Sequence, residues 1–508
     1  MAKILGALRE NSVSCTVIDA NLEGICHLLG GPVASTDTWS GRACRNIDIN
    51  LKSLRSWAVY SNPDKYKRAV MDVNRLLHMA GRDYGVDITL SNYSSPSLLP
   101  VRSSDLLKAA ECFDKNPFFP YFKKRLTESF LQHQPDIVGF SINFFSQALC
   151  AFAMAGFIKN LAPNILIVLG GGLITSWMNI PGFKNPFNGI ADQLVSGPGE
   201  AALLSMCRQE TSCRSSGNRY DYGDFNLNQY LSPGPVLPYS GSRGCYWKKC
   251  AFCPEQAENS AYVPSEPHDV IEDIHRLKRM ISPCLIHFVD NALSPKLLKH
   301  LAENPLGTPW YGFARITPHL TDPDFVRGLK DSGCVMLKLG IESGDQAVLD
   351  DLQKGIDITT ASNALRTIKA ASIATYVYLL FGTPQENGSS AAMTLDFTLA
   401  HAEFIDFLNL AVFNLPAYSK EAEGLSTVPF YQGDLSLYRE FIHPKGWNRN
   451  MVRQFIAKQF KRKTLIKSIL HNDPPFFTSN HAPFFKGVLT FPHWGKIAGK
   501  FDNGEFCG

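Results

Sequence analysis

The stretch Ser242-Arg-Gly-Cys245-Tyr-Trp-Lys-Lys-Cys250-Ala-Phe-Cys253-Pro254 decides how this chain is read. Three cysteines fall within nine residues, close enough for one loop to wrap a metal centre. A structural zinc site normally closes with a fourth Cys or His at a second short spacing. The chain has no downstream Cys-x-x-Cys or His-x-x-x-His to supply one. Three thiolates suit a [4Fe–4S] cube that keeps one iron free for a substrate. Phe252 sets an aromatic ring beside that open corner, where a nucleobase can stack. A zinc loop and plain buried thiols are the alternatives.

The same residues resemble the signature of the radical S-adenosylmethionine (SAM) enzymes, Cys-x3-Cys-x2-Cys with an aromatic before the third cysteine. Here Tyr246, Trp247, Lys248 and Lys249 make the first spacer one residue longer. The resemblance implies that Cys245, Cys250 and Cys253 ligate the cluster and that SAM chelates its free iron. It also implies reductive cleavage of SAM to a 5′-deoxyadenosyl radical, with a flavodoxin or ferredoxin as electron donor.

Composition bounds the rest. A length of 508 residues predicts two or three domains. A net charge of only +4 gives no case for nucleic acid or another polyanion as partner. The 13 cysteines are odd in number and scattered, which argues against a secreted disulfide framework and for a reducing cytoplasm. The opening Met1 to Glu10 lacks the apolar core of a signal peptide. No uncharged apolar run reaches the roughly 18 residues that a membrane span requires. A soluble, cytoplasmic enzyme is the expectation.

Residues 1–215 alternate strand and helix patterns. Strands are expected at Cys15–Asp19, Asp136–Ile142 and Ile165–Leu169, with an apolar helix over Ala148–Leu161 and a strand-to-turn signal from Gln193 to Glu200. Short apolar strands separated by helices predict an α/β, doubly wound, Rossmann-like parallel sheet. Such sheets bind ligands beyond the carboxyl ends of their strands. Ser141, Gly170, Gly171, Gly172, Gly197 and Glu200 fall there. This combination resembles the cobalamin-binding domain that precedes many radical SAM enzymes, and it implies that those residues cradle the corrin and its nucleotide tail. The Asp-x-His-x-x-Gly motif of other cobalamin proteins is absent; Asp273 and His275 belong to a surface helix with Lys278. The implied cobalt has no protein imidazole. The family's opening strand is also missing, since the chain starts inside the helix that should follow it. Residues 40–130 mix helical patterns with aromatic–proline clusters such as Asn116 to Phe122.

A polar, then Pro-Gly-rich linker is expected over 216–238, followed by a catalytic domain over 239–424. Strands are expected at Leu285–Val289, Trp310–Ala314, Val335–Leu339, Thr375–Leu380 and Phe407–Val412, the pattern of a partial (β/α)6 TIM-like barrel. Polar residues close these strands: Asp290 and Asn291, then Arg315, then Glu342 and Ser343, then Gly382. Singly, each reads as a helix cap or a turn. By resemblance, Asp290 and Asn291 contact the methionine ammonium of SAM, Arg315 its carboxylate, and Glu342 and Ser343 its ribose or sulfonium, while Gly382 flanks adenine. The family's Gly-Gly-Glu is replaced by Val289-Asp-Asn.

Residues 425–508 form a C-terminal extension. It holds a basic helix, Met451 to Ile469, and a Pro-, Phe- and His-rich run from His471 to Phe485. That run is either a cap over the substrate site, with His481 and Tyr418 as titratable groups, or a rigid packing segment. The expected reaction is cobalamin-dependent C-methylation of an unactivated carbon in a small molecule or peptide. A cobalamin-independent radical SAM enzyme, and an iron–sulfur protein for electron transfer or sensing, are the alternatives.

Overall fold

Parallel strands, each followed by a helix, build both halves of the chain, in a computed structural model that describes residues 1–31, 37–207 and 219–486. The ends of the expected first domain (208–215), linker (216–218) and extension (487–508) lie outside the described residues. The chain divides into two units. One comprises Met1–Leu51, Ala69–Tyr230 and Val428–Arg439, and the other Lys52–Arg68, Leu231–Thr427 and Glu440–Gly508. The described residues of the expected extension are divided between the two units.

In the first unit, strands β1 (Ile137–Ser141), β2 (Leu166–Gly170) and β3 (Gln193–Leu194) pair in parallel, in that order. The order advances in one direction, so the reversal that defines a doubly wound sheet is absent among the described residues. The strand expected at Cys15–Asp19 is not formed either. Asp19 accepts the Leu22 N–H at 3.1 Å and caps the helix Ala20–Gly30, while Val17 N–H donates to Asp224 at 3.0 Å instead of to a ladder. Capping by an Asp side chain satisfies a helix donor that a strand leaves unmet. The core beneath the sheet is aromatic, with Phe152, Trp177 and Phe187 fully buried. Helix Phe145–Leu161 supplies Phe152 and crosses helix Ser103–Glu111 so closely that a Cβ on Gly156 would lie 2.0 Å from Ala110 O.

In the second unit, six strands pair in parallel in chain order: β4 (Val236–Tyr239), then β7 (Leu285–Leu293), β8 (Trp310–Ala314), β9 (Cys334–Glu342), β10 (Ala374–Phe381) and β11 (Phe407–Val412). Two-residue strands β5 (Ser242–Arg243) and β6 (Val263–Pro264) pair antiparallel beside it. Helices such as Pro267–Ile281, Pro323–Asp331 and Ile358–Ala370 fill the crossovers, as parallel pairing requires. The strands are near-continuous apolar runs, buried on both faces, as in the adjacent Met336 and Leu337. Within the Pro-, Phe- and His-rich run, His481 is packed. His481 is 5% exposed, bonded through Nδ1 to Tyr66 Oη at 2.8 Å and stacked on Phe477 at 4.0 Å. Burial lowers its pKa to about 3, so it stays neutral.

Gly156→Val should cost about 1–3 kcal/mol in urea unfolding, because the added carbons overlap backbone that cannot move aside; Gly139→Val, an exposed strand position where a Cβ meets open space, is the control.

Candidate cofactor site

The cysteine loop is closed at its base before it carries any chemistry. Ser242 and Arg243 pair with Pro264 and Val263, and Gly244 passes at φ +72, with room for no Cβ because Ala261 O would lie 2.5 Å away. Asp290 anchors the same base: its Oδ2 accepts the Gly241 N–H at 3.0 Å and its Oδ1 the Ser242 hydroxyl at 2.5 Å. Burial raises its pKa, against these bonds. β7 runs on to Leu293, so Asp290 and Asn291 lie within the strand and point to opposite faces. Asp290 is thereby spent on the loop, whereas Asn291 is exposed.

The loop then folds onto the residues after β9. Ala251 N–H donates to Leu352 O and the Trp247 indole N–H to Gln353 O, both at 3.0 Å. Arg315, just past β8, lies beneath. Its Nη1 is 3.6 Å from Cys250 Sγ, its Nη2 donates to Lys354 O, and its guanidinium stacks 4.3 Å from the Trp247 ring. It is 8% exposed, and among the described residues no carboxylate lies within ion-pair distance of it. A SAM carboxylate would have to share it with these partners. Lys354 Nζ pairs with Glu342 Oε1 at 2.7 Å and stands 5.4 Å over the Phe252 ring. That pair fills the place of a side chain at Gly340, where a Cβ would be 2.5 Å from Glu342 Oε1. Glu342 itself sits at φ +70, strained for a non-glycine residue.

Burial raises the Cys253 pKa to about 11 and raises that of Cys250 too, although Lys354 and Arg315 oppose the latter. As they stand, no three His, Cys, Asp or Glu side chains among the described residues gather tightly enough to hold a single metal ion. A cube spreads its thiolates over separate irons, which asks for a wider set. The fit therefore rests on the donors: three free thiols on one loop over a buried cation that lacks an anion. Thiolates carrying an iron–sulfur cluster supply that negative charge.

Two other expected residues face elsewhere. Ser343 is 1% exposed, hydrogen-bonded to Thr394 Oγ1 at 3.2 Å and accepting the Asp345 N–H at 3.1 Å. Gly382, at φ +82, ends β10 and donates its N–H to Glu386. Glu386 is 1% exposed, its Oε2 also accepts the Trp447 indole N–H at 3.0 Å, and its Oε1 has no partner. Burial lifts its pKa to about 7. The sequence reading placed Glu386 at the end of this strand, in Gly382-Thr-Pro-Gln-Glu386, without giving it a role, and missed Lys354 and Lys338. Lys338 shares a face of β9 with Gly340 and Glu342, its Nζ is 3.0 Å from His287 Nε2 and 4.1 Å from the Phe313 ring, and burial lowers its pKa to about 8. A single lysine inside the apolar run Val335 to Leu339 was the available signal.

In the first unit, Ser141, Gly170, Gly171, Gly172 and Gly197 do meet at the carboxyl end of the sheet. Asn143 joins them, accepting the Gly172 N–H at 2.9 Å and donating to Ser141 Oγ at 3.3 Å, and Thr175 Oγ1 accepts the Gly197 N–H at 2.9 Å. Gly171, at φ +101, presses its Cα against Ile142, whereas nothing lies within 4 Å of a Cβ on Gly197. Glu200 opens the next helix, Glu200–Met206.

Residues 239–398 match the Radical SAM superfamily, and this part of the chain is a radical SAM domain, a class that implies a [4Fe–4S] cluster and SAM. The chain is similar to an uncharacterized methyltransferase of Pyrococcus horikoshii, at 22% identity over 52% of this chain and 64% of the relative. It is also similar to the anaerobic magnesium-protoporphyrin IX monomethyl ester cyclase of Cereibacter sphaeroides, at 20% identity over 68% of this chain and 63% of the relative. It thus spans somewhat less than two thirds of either. Among solved structures it is similar to the radical SAM methyltransferase TsrM of Kitasatospora setae, bound to cobalamin and a [4Fe–4S] cluster, with TM-score 0.48, 19% identity, and 67% and 79% of the two chains covered. No helix among the described residues is long and apolar enough to cross a membrane.

Because Glu386 binds its proton more tightly folded (about 7) than unfolded (4.5), its contribution to stability is full below pH 4.5 and falls as pH rises toward 7. Glu386→Gln should remove this fall, so that the variant's melting temperature gains on the parent's between pH 5 and 7.5.

Proposed function

We propose that this protein is a radical SAM enzyme that cleaves SAM reductively and transfers a methyl group to an unactivated carbon with the help of cobalamin. The observation that carries the first part is the cysteine loop, docked over Arg315 and beside the Lys354–Glu342 pair at the ends of β8 and β9. A [4Fe–4S] cluster on Cys245, Cys250 and Cys253, when bound, supplies the electron that breaks the C–S bond of SAM. The chain's own groups bind and orient. Asp290 fixes the loop base, and Arg315 and Lys354 offset negative charge at Cys250. Phe252 offers a ring face for adenine, and Asn291 and Glu342 offer polar partners at the strand ends for the ammonium and ribose of SAM. Burial around Arg315 and Glu342 limits water near a reactive radical.

For cobalamin, the support is the glycine rim of the first unit. Gly172, with only Asn143 near a Cβ, and Gly197, with nothing near one, leave the backbone accessible, as a flat, bulky macrocycle requires. Glu200 and Ser141 would meet its polar edge. Bound cobalamin supplies the methyl group; this chain offers cobalt no Asp-x-His ligand. The methyltransferase name of one relative agrees with this reading. A small molecule or peptide as substrate, and a flavodoxin or ferredoxin as donor, complete it.

Anaerobic reconstitution should load iron and sulfide, and dithionite with SAM should then yield 5′-deoxyadenosine. Cys245→Ala, Cys250→Ala or Cys253→Ala should abolish that product by at least about a hundredfold, since three ligands act as a unit. A loaded, reduced cluster that leaves SAM intact sinks the proposal. Corrinoid absorption of the protein incubated with hydroxocobalamin tests the second part, and its absence would leave a cobalamin-independent enzyme.

A further inference from the structure

The spacer between Cys245 and Cys250 wraps one side chain of the sheet. Trp247 stacks on the Arg315 guanidinium at 4.3 Å, and Cys250 takes its Nη1 at 3.6 Å. Within the spacer, which is one residue longer than the signature, Lys248 turns at φ +49. Trp247 is itself fixed from beneath. Its indole N–H is tied to Gln353 O at 3.0 Å, and its ring rests on Gly355, at φ +65, where a Cβ would be 2.0 Å from Trp247 Cζ2. Arg315 meanwhile has no carboxylate to hold it among the described residues. A buried guanidinium without an anionic partner tends to swing toward water unless packing prevents it. The indole face and the Lys354 carbonyl are what prevent it here.

We propose that Trp247 is a positioning residue that clamps the Arg315 guanidinium against the Cys250 sulfur, and so raises the reduction potential of the cluster those cysteines hold. This rests on the iron–sulfur part of the functional reading, not on cobalamin or on the methyl transfer. The reason is charge. A reduced cluster carries one more negative charge than an oxidised one, and a cation held close in a poorly solvated site favours the more negative state. An exposed cation would do little, because water screens it. The longer spacer is then a device for pinning a cation that the shorter signature would not cover.

The test uses the full chain, reconstituted anaerobically, with iron and sulfide assays followed by EPR-monitored redox titration. Trp247→Ala and Arg315→Gln should both retain iron. Each should shift the midpoint to lower potential, so that the reduced-to-oxidised ratio at the parent's midpoint falls about tenfold, about 59 mV for a one-electron couple. Trp247→Phe, which keeps a ring face over the guanidinium, should recover most of the shift. Combining Trp247→Ala with Arg315→Gln should shift no further than Arg315→Gln alone, because both remove the same interaction.

A parent-like midpoint in Trp247→Ala would overturn the proposal, as would fully additive shifts in the double variant. Loss of iron from Trp247→Ala with normal iron in Arg315→Gln would also overturn it, since Trp247 would then hold the loop and not the cation. Failure of SAM cleavage by a loaded parent would defeat the functional reading, yet the shift in midpoint would still be measured.

Discussion

Arg315 lies under the cysteine loop with its charge largely removed from water and no carboxylate among the described residues to balance it, and much of the site's geometry answers to that imbalance. A desolvated cation needs either an anion or a shell of dipoles and π-faces. Here the shell is the Trp247 ring and the Lys354 carbonyl, and the anion is whatever the thiol of Cys250 becomes when it binds metal. Lys354 is a second cation nearby, but Glu342 neutralises it at 2.7 Å. Of the two buried cations beside the thiols, Arg315 is thus the one left without a carboxylate among the described residues.

Around this charge, backbone constraints keep the loop in place. Gly244 closes its base against Ala261, and Gly355 gives Trp247 its floor. Asp290 ties the base to β7 by two hydrogen bonds, which accounts for an acidic residue buried inside an apolar strand. Glu342 holds a left-handed conformation and Gly340 cedes its side-chain volume to the Lys354–Glu342 pair. Strain of this kind persists only where neighbours over-determine it, and it concentrates where chemistry happens.

Much of this was legible beforehand, for identifiable reasons. The strands Trp310–Ala314 and Phe407–Val412 were read to the residue because both are short apolar runs bounded by turn or capping signals. β7 and β9 were read too short, since their polar ends Asp290 and Glu342 look like strand exits. The strand expected at Cys15–Asp19 failed because Asp19 serves as a helix cap, and local capping outweighed β propensity. Ser343 looked like a ligand group by position, but its hydroxyl meets Thr394 on the neighbouring helix. Glu386 could be placed at a strand end but given no role, because nothing near it in sequence announces the indole of Trp447, sixty-one residues on.

The sequence by itself determined the identity and spacing of the thiols, the alternation of strand and helix, and the glycines at the strand ends, because each is written in neighbouring residues. Only the tertiary structure decided which cation faces Cys250, that Asp290 serves the loop and Asn291 does not, and that His481 is a packed neutral ring. Those outcomes depend on which face a side chain takes and on what other elements bring to it. Strand periodicity limits the first to two choices, but the second is set by contacts between residues far apart in the chain.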